Sequence, residues 1–134
     1  MFGRLFGKKE KMSVPEFKMP ADEALTTTGS GLQYVTHDEG SGAPPGPTDK
    51  VTVHYAGWTL DGKLFDSSYS RGKTISFPLN GVIAGWTEGL QLMKEGGKAT
   101  FVIPSNLAYG ARGAPPAIGP NATLVFLVEL VSIS

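Results

Sequence analysis

Beyond its first 12 residues, this 134-residue chain has only one segment with the hydrophobic spacing of an amphipathic helix, which limits the folds it can adopt. In GVIAGWTEGLQLMKEGG the apolar residues recur at steps of three and four positions: Ile83, Trp86, Leu90 and Met93. This spacing places them on one face of a helix, and Gly96-Gly97 predicts where the helix ends. A helix of about ten residues is only ~15 Å long. It therefore cannot cover the whole face of a sheet built from the rest of the chain.

Most other apolar segments alternate with a period of two, as expected for strands with one buried face. The predicted strands are 31–37, 50–60, 63–68, 74–79, 98–104 and 122–133. Asp61-Gly62 predicts a hairpin turn, and 18 glycines and 10 prolines are typical of a chain rich in loops. The sequence therefore predicts an α+β domain with an antiparallel sheet of five or six strands and one short α-helix.

The composition excludes several classes of function. Because 12 basic residues balance 12 acidic ones, no overall charge favours nucleic acid. The chain has no cysteine, so disulfides, thiolate metal sites and cysteine nucleophiles are excluded. His37 and His54 are not spaced from other ligands as in metal sites, so no metal and no cofactor is predicted. Ser67 and Ser68 have no paired histidine and are predicted to form turn hydrogen bonds.

Residues 1–30 are predicted to be a flexible tail and linker, and residues 31–134 a single domain. Within the tail, residues 1–12 contain four basic residues and one acidic residue. Their apolar residues have helical spacing, so a membrane-surface helix is one interpretation. A frayed tail is the favoured interpretation because two glycines oppose a helix, and membrane contact through residues 1–12 is therefore not expected.

No apolar run approaches the roughly 18 residues that span a bilayer. The basic start also lacks the continuous apolar stretch of a signal peptide, so we expect an uncleaved, cytoplasmic protein. The sequence contains no long helical extension through which two chains would associate. A monomer is therefore expected.

Trp86 stands in the first turn of the predicted helix, between Gly85 and Gly89. Because the helix is too short for the sheet, an uncovered apolar hollow is expected near its start, with Trp86 as the floor. We interpret the two glycines as lowering the walls beside the tryptophan. From spacing alone, the favoured interpretation is that Trp86 is an ordinary core residue.

Asp66 follows Phe65 directly, in an apolar neighbourhood where an isolated carboxylate needs a partner. Arg71 lies five residues further on and is the predicted partner. Such a pair is often only structural, but a carboxylate beside an aromatic hollow suggests a functional role.

Three blocks resemble the FKBP-type peptidyl-prolyl cis-trans isomerases: VHYAGWTLDGKLFDSSYSRGKTISFPL, VIAGWTEGLQLMKEGGKATFVIPSNLAYG and PNATLVFLVELVSI. They occur in the family's order and spacing, and the resemblance covers residues 31–134. It is closest to compact, single-domain bacterial-type members. The resemblance implies an antiparallel half-barrel of five or six strands wrapped around one short α-helix, and it favours the pocket interpretation of Trp86.

The resemblance also implies which residues form the proline pocket. Catalytic roles fall to Asp66, Tyr109 and Trp86. Substrate-binding roles fall to Tyr55, Phe65, Arg71, Ile75, Val82, Ile83, Trp86, Tyr109, Ile118 and Phe126. Trp86 is the implied floor, and the Ile83 backbone N–H and the Tyr109 hydroxyl are implied donors to substrate carbonyls. Ile118 is placed on an overhanging loop.

Three departures from the family leave substrate preference and inhibitor affinity open. Ile75 stands where many relatives have an aromatic wall residue. The loop at 113–120 reads GAPPAIGP, with Ala114 and Ala117 where bulkier residues are common, and the link LNGV before the helix is short.

The implied function is to accelerate rotation about X–Pro bonds in protein folding, through an apolar pocket and oriented hydrogen bonds without covalent or acid–base chemistry. The implied partners are proline-containing peptides, unfolded protein chains and macrolides such as tacrolimus or rapamycin. The alternative from another class is a proline-recognition or chaperone module that binds unfolded chains with little turnover. Asp66, Tyr109 and Trp86 together favour the enzyme, since simple binding does not require the whole set.

Overall fold

The computed structural model describes residues 13–134. Residues 1–12, interpreted as a frayed tail or as a membrane-surface helix, lie outside the described residues. The strands are β1 (Thr26–Thr27), β2 (Gln33–Asp38), β3 (Lys50–Thr59), β4 (Leu64–Ser67), β5 (Ile75–Pro78), β6 (Lys98–Ile103) and β7 (Leu124–Ile133). The helices are α1 (Ser68–Arg71) and α2 (Ala84–Leu90). No helix in the described part of the chain is long and apolar enough to cross a membrane.

The strands form one antiparallel sheet in the order β1-β2-β6-β7-β3-β4, and β5 also pairs with β3. β3 accommodates two partners on one side because β5 pairs with its first half and β4 with its second half. The α+β class with one sheet around a short helix is confirmed. The sheet has seven strands rather than five or six, because β1 is only two residues long and too short to produce a period in the sequence.

Alternation along the two longest strands divides the sheet into a helix-covered face and an opposite face. On the helix-covered face the core contains Val51, Val53 and Tyr55 of β3, Leu124, Phe126, Val128 and Leu130 of β7, and Trp86 and Leu90 of α2. On the opposite face a smaller cluster contains Ala56, Trp58, Tyr69 and Val125. The core therefore lies mainly between the sheet and α2.

The segment before residue 31 contacts the sheet at two points. β1 pairs with β2, and the ring of Phe17 lies edge-on against Trp58 with the ring centroids 5.7 Å apart. The domain boundary predicted at residue 31 stays a prediction. These contacts attach part of the predicted linker to both the edge and the opposite face of the sheet.

The helix α2 has seven residues, shorter than the ten predicted. After Leu90 the chain tightens into turns, in which the Leu92 and Met93 N–H groups donate to the carbonyls three residues earlier, at 3.0 and 3.1 Å. Met93 is still buried, with 6 % of its surface exposed. The helical spacing of the sequence therefore continues one turn beyond the regular helix.

The glycines beside Trp86 have a different role from the one predicted. A Cβ atom on Gly85 would lie 2.5 Å from Ile103 Cγ2, and one on Gly89 would lie 2.7 Å from Phe101 Cε1. Ile103 and Phe101 are buried in β6, with 0 % and 2 % of their surfaces exposed, so an added methyl group would have to displace packed side chains. The glycines therefore allow α2 to lie close against β6, and the prediction that they lower the pocket walls is wrong.

We expect Gly85→Ala and Gly89→Ala to lower the free energy of unfolding by about 0.5–2 kcal/mol. Alanine favours a helix by up to about 1 kcal/mol, but overpacking a buried contact opposes folding by about 1–3 kcal/mol. Denaturant unfolding measures the difference. Gly29→Ala is the control, since nothing lies within 4 Å of its Cβ position. Stabilisation by either helix substitution would contradict the packing explanation.

Candidate functional site

A cavity of about 610 Å³ opens at the start of α2, where the helix leaves part of the sheet uncovered. Its lining comes from β3, β4, β5, β7, the start of α2 and the loop that carries Tyr109. The lining residues are Tyr55, Phe65, Asp66, Ile75, Ser76, Phe77, Gly81, Val82, Ile83, Trp86, Tyr109 and Phe126. Most of these side chains are apolar, so the cavity is suited to an apolar group with few polar contacts.

Trp86 lies at the centre of an aromatic cluster inside this cavity. The centroid of its ring lies 5.2 Å from that of Tyr55, with the ring planes at 83°, and 5.2 Å from that of Phe126, with the planes at 85°. Phe77 lies 5.5 Å away at 49°. Edge-to-face geometry is the favoured arrangement of aromatic pairs. Only 6 % of Trp86 is exposed, so its neighbours hold the indole in one orientation.

Gly57 makes room for two rings of the cavity wall. A Cβ atom at this position of β3 would lie 2.6 Å from Phe126 Cε1 and 2.7 Å from Phe65 Cζ. Those two rings meet edge to face, with centroids 5.4 Å apart and planes at 89°. The glycine therefore fixes where the wall rings lie, a role that the sequence pattern did not indicate.

The polar part of the rim is a closed set of contacts between Tyr55, Asp66 and Arg71. Arg71 Nη1 donates to Asp66 Oδ1 at 2.8 Å, and Nη2 donates to the Tyr55 hydroxyl at 3.2 Å. The Tyr55 hydroxyl donates to Asp66 Oδ2, and the Ser67 N–H donates to Asp66 Oδ1 at 2.9 Å. The predicted Asp66–Arg71 pair is therefore present, and Tyr55 completes it.

These contacts displace two pKa values in opposite directions. Burial alone would raise the pKa of Asp66, but hydrogen bonds from Tyr55 and Arg71 outweigh it and hold the pKa of the carboxyl below its ordinary value. Burial, followed by the hydrogen bond to Asp66, raises the pKa of Tyr55. The carboxylate and the neutral phenol therefore keep their charge states across the neutral range.

The short helix α1 brings Arg71 to the rim. It begins after Ser67, whose Oγ accepts from the Ser70 N–H at 3.2 Å, and it ends at Gly72 with φ 68°. A serine cap and a left-handed glycine are ordinary helix boundaries. The strand predicted over 63–68 instead ends at Ser67, because a four-residue helix has no period that the sequence could show.

Nine of the eleven predicted site residues line the cavity, and two do not. Arg71 stands behind Asp66 rather than in the lining. Ile118 is 4 % exposed and belongs to the core cluster, in a loop closed by a bridge between Ala114 and Ile118. Ile118 therefore lies in the predicted loop, but its side chain packs in the core and is not part of the cavity lining.

Three lining residues were not predicted from the sequence: Ser76, Phe77 and Gly81. Phe77 follows the predicted Ile75 by two positions on β5, and residues two apart in a strand point to the same face. The alternation of this strand was therefore the signal that could have identified Phe77. Its ring adds an aromatic surface next to Ile75.

Besides the buried indole N–H of Trp86, two polar hydrogens at the cavity have no acceptor among residues 13–134. The Ile83 carbonyl accepts from the Trp86 and Thr87 N–H groups, whereas the Ile83 N–H donates to no residue in the described part of the chain. Tyr109 is 41 % exposed, and its hydroxyl has no hydrogen-bond partner among residues 13–134. Both donors are therefore available to a bound molecule.

Ser68 does have a histidine beside it, contrary to the prediction from sequence. Its Oγ lies 2.8 Å from His54 Nδ1. Ser68 has no exposed surface, and neither histidine lines the cavity, so the serine cannot reach a bound molecule as a nucleophile. Within residues 13–134, no group of three or more His, Cys, Asp or Glu side chains could hold a metal ion.

A family model described as FKBP-type peptidyl-prolyl cis-trans isomerase matches residues 42–131. A probable FKBP-type peptidyl-prolyl cis-trans isomerase FkpA from Neisseria meningitidis is 58 % identical over 113 residues, which cover 84 % of this chain and 42 % of that protein. This chain spans about half the length of the first three curated relatives it matches, with shares of 42 %, 54 % and 43 %.

Two solved structures share this fold. The crystal structure of FkpA from Escherichia coli superimposes with a TM-score of 0.81 at 50 % identity, over 84 % of this chain and 53 % of that chain. The crystal structure of AtFKBP13 superimposes with a TM-score of 0.78 at 35 % identity, over 82 % of this chain and 98 % of that chain. The fold of the whole described sheet is therefore similar to both.

We expect Asp66→Asn to lower the free energy of unfolding by about 1 kcal/mol at neutral pH. The substitution removes the charge from hydrogen bonds that Asp66 accepts, and the loss is reduced because the rim is partly open to solvent. Because the folded pKa of Asp66 is depressed, its contribution is present above the unfolded pKa of about 3.9 and disappears as pH falls through the folded value.

Thermal unfolding of wild type and Asp66→Asn between pH 2 and pH 7 checks this expectation. The difference between the two proteins should shrink below about pH 4. Glu23→Gln is the control, because it removes an exposed carboxylate far from the rim in sequence. A difference that stays constant over the whole range would contradict the assignment.

Proposed function

The chain belongs to the FKBP-type peptidyl-prolyl cis-trans isomerase family, and from this premise we propose that it catalyses rotation about X–Pro bonds in peptides and unfolded protein chains. The observation that carries the proposal is the cavity of about 610 Å³, which joins an aromatic floor to the Tyr55–Asp66–Arg71 rim. An apolar proline ring fits the floor, and the flanking carbonyls then lie near the rim.

Amide resonance is the barrier that the site has to lower. Rotation about an X–Pro bond has a barrier of roughly 20 kcal/mol. The twisted transition state has lost this resonance and its amide dipole is smaller, so water stabilises the planar ground state more. A cavity that removes water therefore favours the twisted state in relative terms. A reduction of about 5 kcal/mol accelerates the rotation nearly 10⁴-fold.

Fixed donors supply the second contribution. The Ile83 N–H and the Tyr109 hydroxyl have no acceptor among the described residues and stand at the cavity, so each can hold a carbonyl of the substrate. Asp66, kept ionised by Arg71 and Tyr55, places negative charge at the rim where the amide twists. Preorganised dipoles of this kind do not have to reorganise during the reaction. No proton transfer is required in this scheme.

The alternative, a module that binds proline-containing or unfolded chains with little turnover, is not favoured, because the relatives are named as isomerases. The family binds proline-containing peptides and macrolide ligands. We propose the same two ligand classes for this chain, with tacrolimus and rapamycin as the macrolides to test. The cytoplasmic location, the monomeric state and a chaperone role stay predictions.

Three substitutions separate catalysis from binding. Trp86→Leu should weaken substrate binding and lower the free energy of unfolding by about 1–3 kcal/mol, because an aromatic core residue is lost. Tyr109→Phe should reduce transition-state stabilisation by about 0.5–1.5 kcal/mol and leave the fold intact. Asp66→Leu should lower kcat/KM by more than Tyr109→Phe does, because it removes the charge at the rim.

A protease-coupled assay on a short X–Pro peptide measures kcat/KM for each variant, and circular dichroism checks that each is folded. If the wild type is slow and all three variants are equally slow, catalysis is not the function. Binding of proline-containing chains would then be the property to measure.

We expect kcat/KM to be nearly constant between about pH 6 and pH 8.5, unlike that of an enzyme with a histidine base. Asp66 stays ionised because its pKa is lowered, and Tyr55 stays neutral because its pKa is raised. The rate should fall only when acid protonates Asp66, below about pH 4. A bell-shaped profile near neutrality, or a large solvent isotope effect, is the result that contradicts this mechanism.

A further inference from the structure

Ser68 occupies the point where β4 turns into α1, and its environment is unusual for a serine. The side chain is fully buried, with 0 % exposed surface. Its Oγ lies 2.7 Å from the Tyr55 N, 3.2 Å from the Tyr55 O and 2.8 Å from His54 Nδ1. The Ser68 hydroxyl therefore contacts both the backbone N–H and the backbone carbonyl of Tyr55, a residue of the cavity wall.

The strand register explains why a side chain makes these contacts. β3 and β4 pair Gly57 with Asp66 and Ala56 with Ser67, so Tyr55 and Ser68 would form the next pair. At Ser68 the main chain has already entered α1, and its carbonyl accepts from Gly72 and Lys73. The backbone of Ser68 therefore cannot bond to Tyr55 as the next strand pair would. Its hydroxyl makes these two hydrogen bonds instead and extends the β3–β4 pairing by one residue.

The three contacts also determine where the protons lie. A serine hydroxyl donates once and accepts twice. The Tyr55 N–H must be a donor to Oγ, so the Ser68 proton goes to the Tyr55 carbonyl and His54 donates from Nδ1. All three hydrogen bonds exist together only in this arrangement.

Arg71 is three residues after Ser68, one turn along α1. It returns to Asp66 at 2.8 Å and to the Tyr55 hydroxyl at 3.2 Å. Contacts thus form a ring that runs from the Tyr55 backbone through Ser68 and α1 to Arg71, and from Arg71 back to the Tyr55 side chain. Arg71 itself is half exposed, with 48 % of its side chain open to solvent, so its own surroundings do little to fix it.

We propose that Ser68 is a positioning residue of the site, whose buried hydroxyl fixes the start of α1 to Tyr55 and thereby holds Arg71 on Asp66. The proposal rests on the proposed isomerase function for its catalytic consequence. Its structural consequence, the arrangement of the rim, can be measured without any activity. Neither Ser67 nor Ser70 can substitute, because Ser67 Oγ caps α1 and Ser70 is exposed.

The experiment compares Ser68→Ala and Ser68→Cys with Ser70→Ala, a control on the same helix. Cysteine keeps nearly the size of serine but is a weak hydrogen-bonding group. The first readout is the pKa of the Asp66 carboxyl, measured by ¹³C NMR. We expect this pKa to be higher in both Ser68 variants than in the wild type, because the hydrogen bonds from Arg71 and Tyr55 to the carboxylate are weakened. Ser70→Ala should leave it unchanged.

The second readout is kcat/KM in a double-mutant cycle with Arg71→Leu. Ser68→Ala should lower kcat/KM about 2- to 12-fold in the wild type, the effect of one net hydrogen bond. In the Arg71→Leu background it should lower kcat/KM by less than about twofold, because the residue it positions is already absent. Equal losses in both backgrounds would overturn the proposal.

The two readouts distinguish a protein that is not an isomerase from one in which Ser68 does not position Arg71. If the wild type does not isomerise the peptide, the proposed function fails and the Asp66 titration alone decides the positioning role. An Asp66 pKa that is the same in the wild type and in both Ser68 variants overturns it. If neither variant folds, Ser68 is required for the fold itself, and a role specific to the rim is rejected.

Discussion

The pairing of β3 with β7 is the constraint on which the rest of the structure depends. Each strand has ten residues, and three other strands attach to them directly: β4 and β5 to β3, and β6 to β7. β2 and β1 follow beyond β6. Since side chains alternate along a strand, this register decides which residues face α2. A slip of β3 by one residue would exchange its two faces, and Tyr55 would leave the cavity while Phe126 of β7 stayed in it.

The site follows from this register in three steps. β3 places Tyr55 toward α2 and Gly57 where the wall rings need space. β4 places Asp66 opposite Gly57, so the carboxylate lies beside the aromatic wall. The chain then turns into α1, which returns Arg71 to both residues. The helix α2 contributes the floor and, because it is short, leaves the cavity open.

The long periodic elements could be predicted from the sequence, and the short ones could not. The alternation of β3 and β7 and the spacing of Ile83, Trp86 and Leu90 were sufficient for the fold class and for the position of the cavity, whereas most of its lining was implied by the resemblance to the family. β1 and α1 are too short to show a period. Contacts between distant residues were also out of reach: the closeness of Gly85 to Ile103 and of Ser68 to His54 depends on packing, to which local patterns are insensitive.

The two tryptophans of the chain lie on opposite faces of the sheet. Trp58 belongs to the small cluster on the face away from α2, where Phe17 meets its ring, whereas Trp86 forms the floor of the cavity. Each is buried among different neighbours, so their fluorescence spectra report on separate regions. The protein thus carries two intrinsic optical probes: one follows attachment of the segment before the sheet, and the other follows whatever fills the cavity.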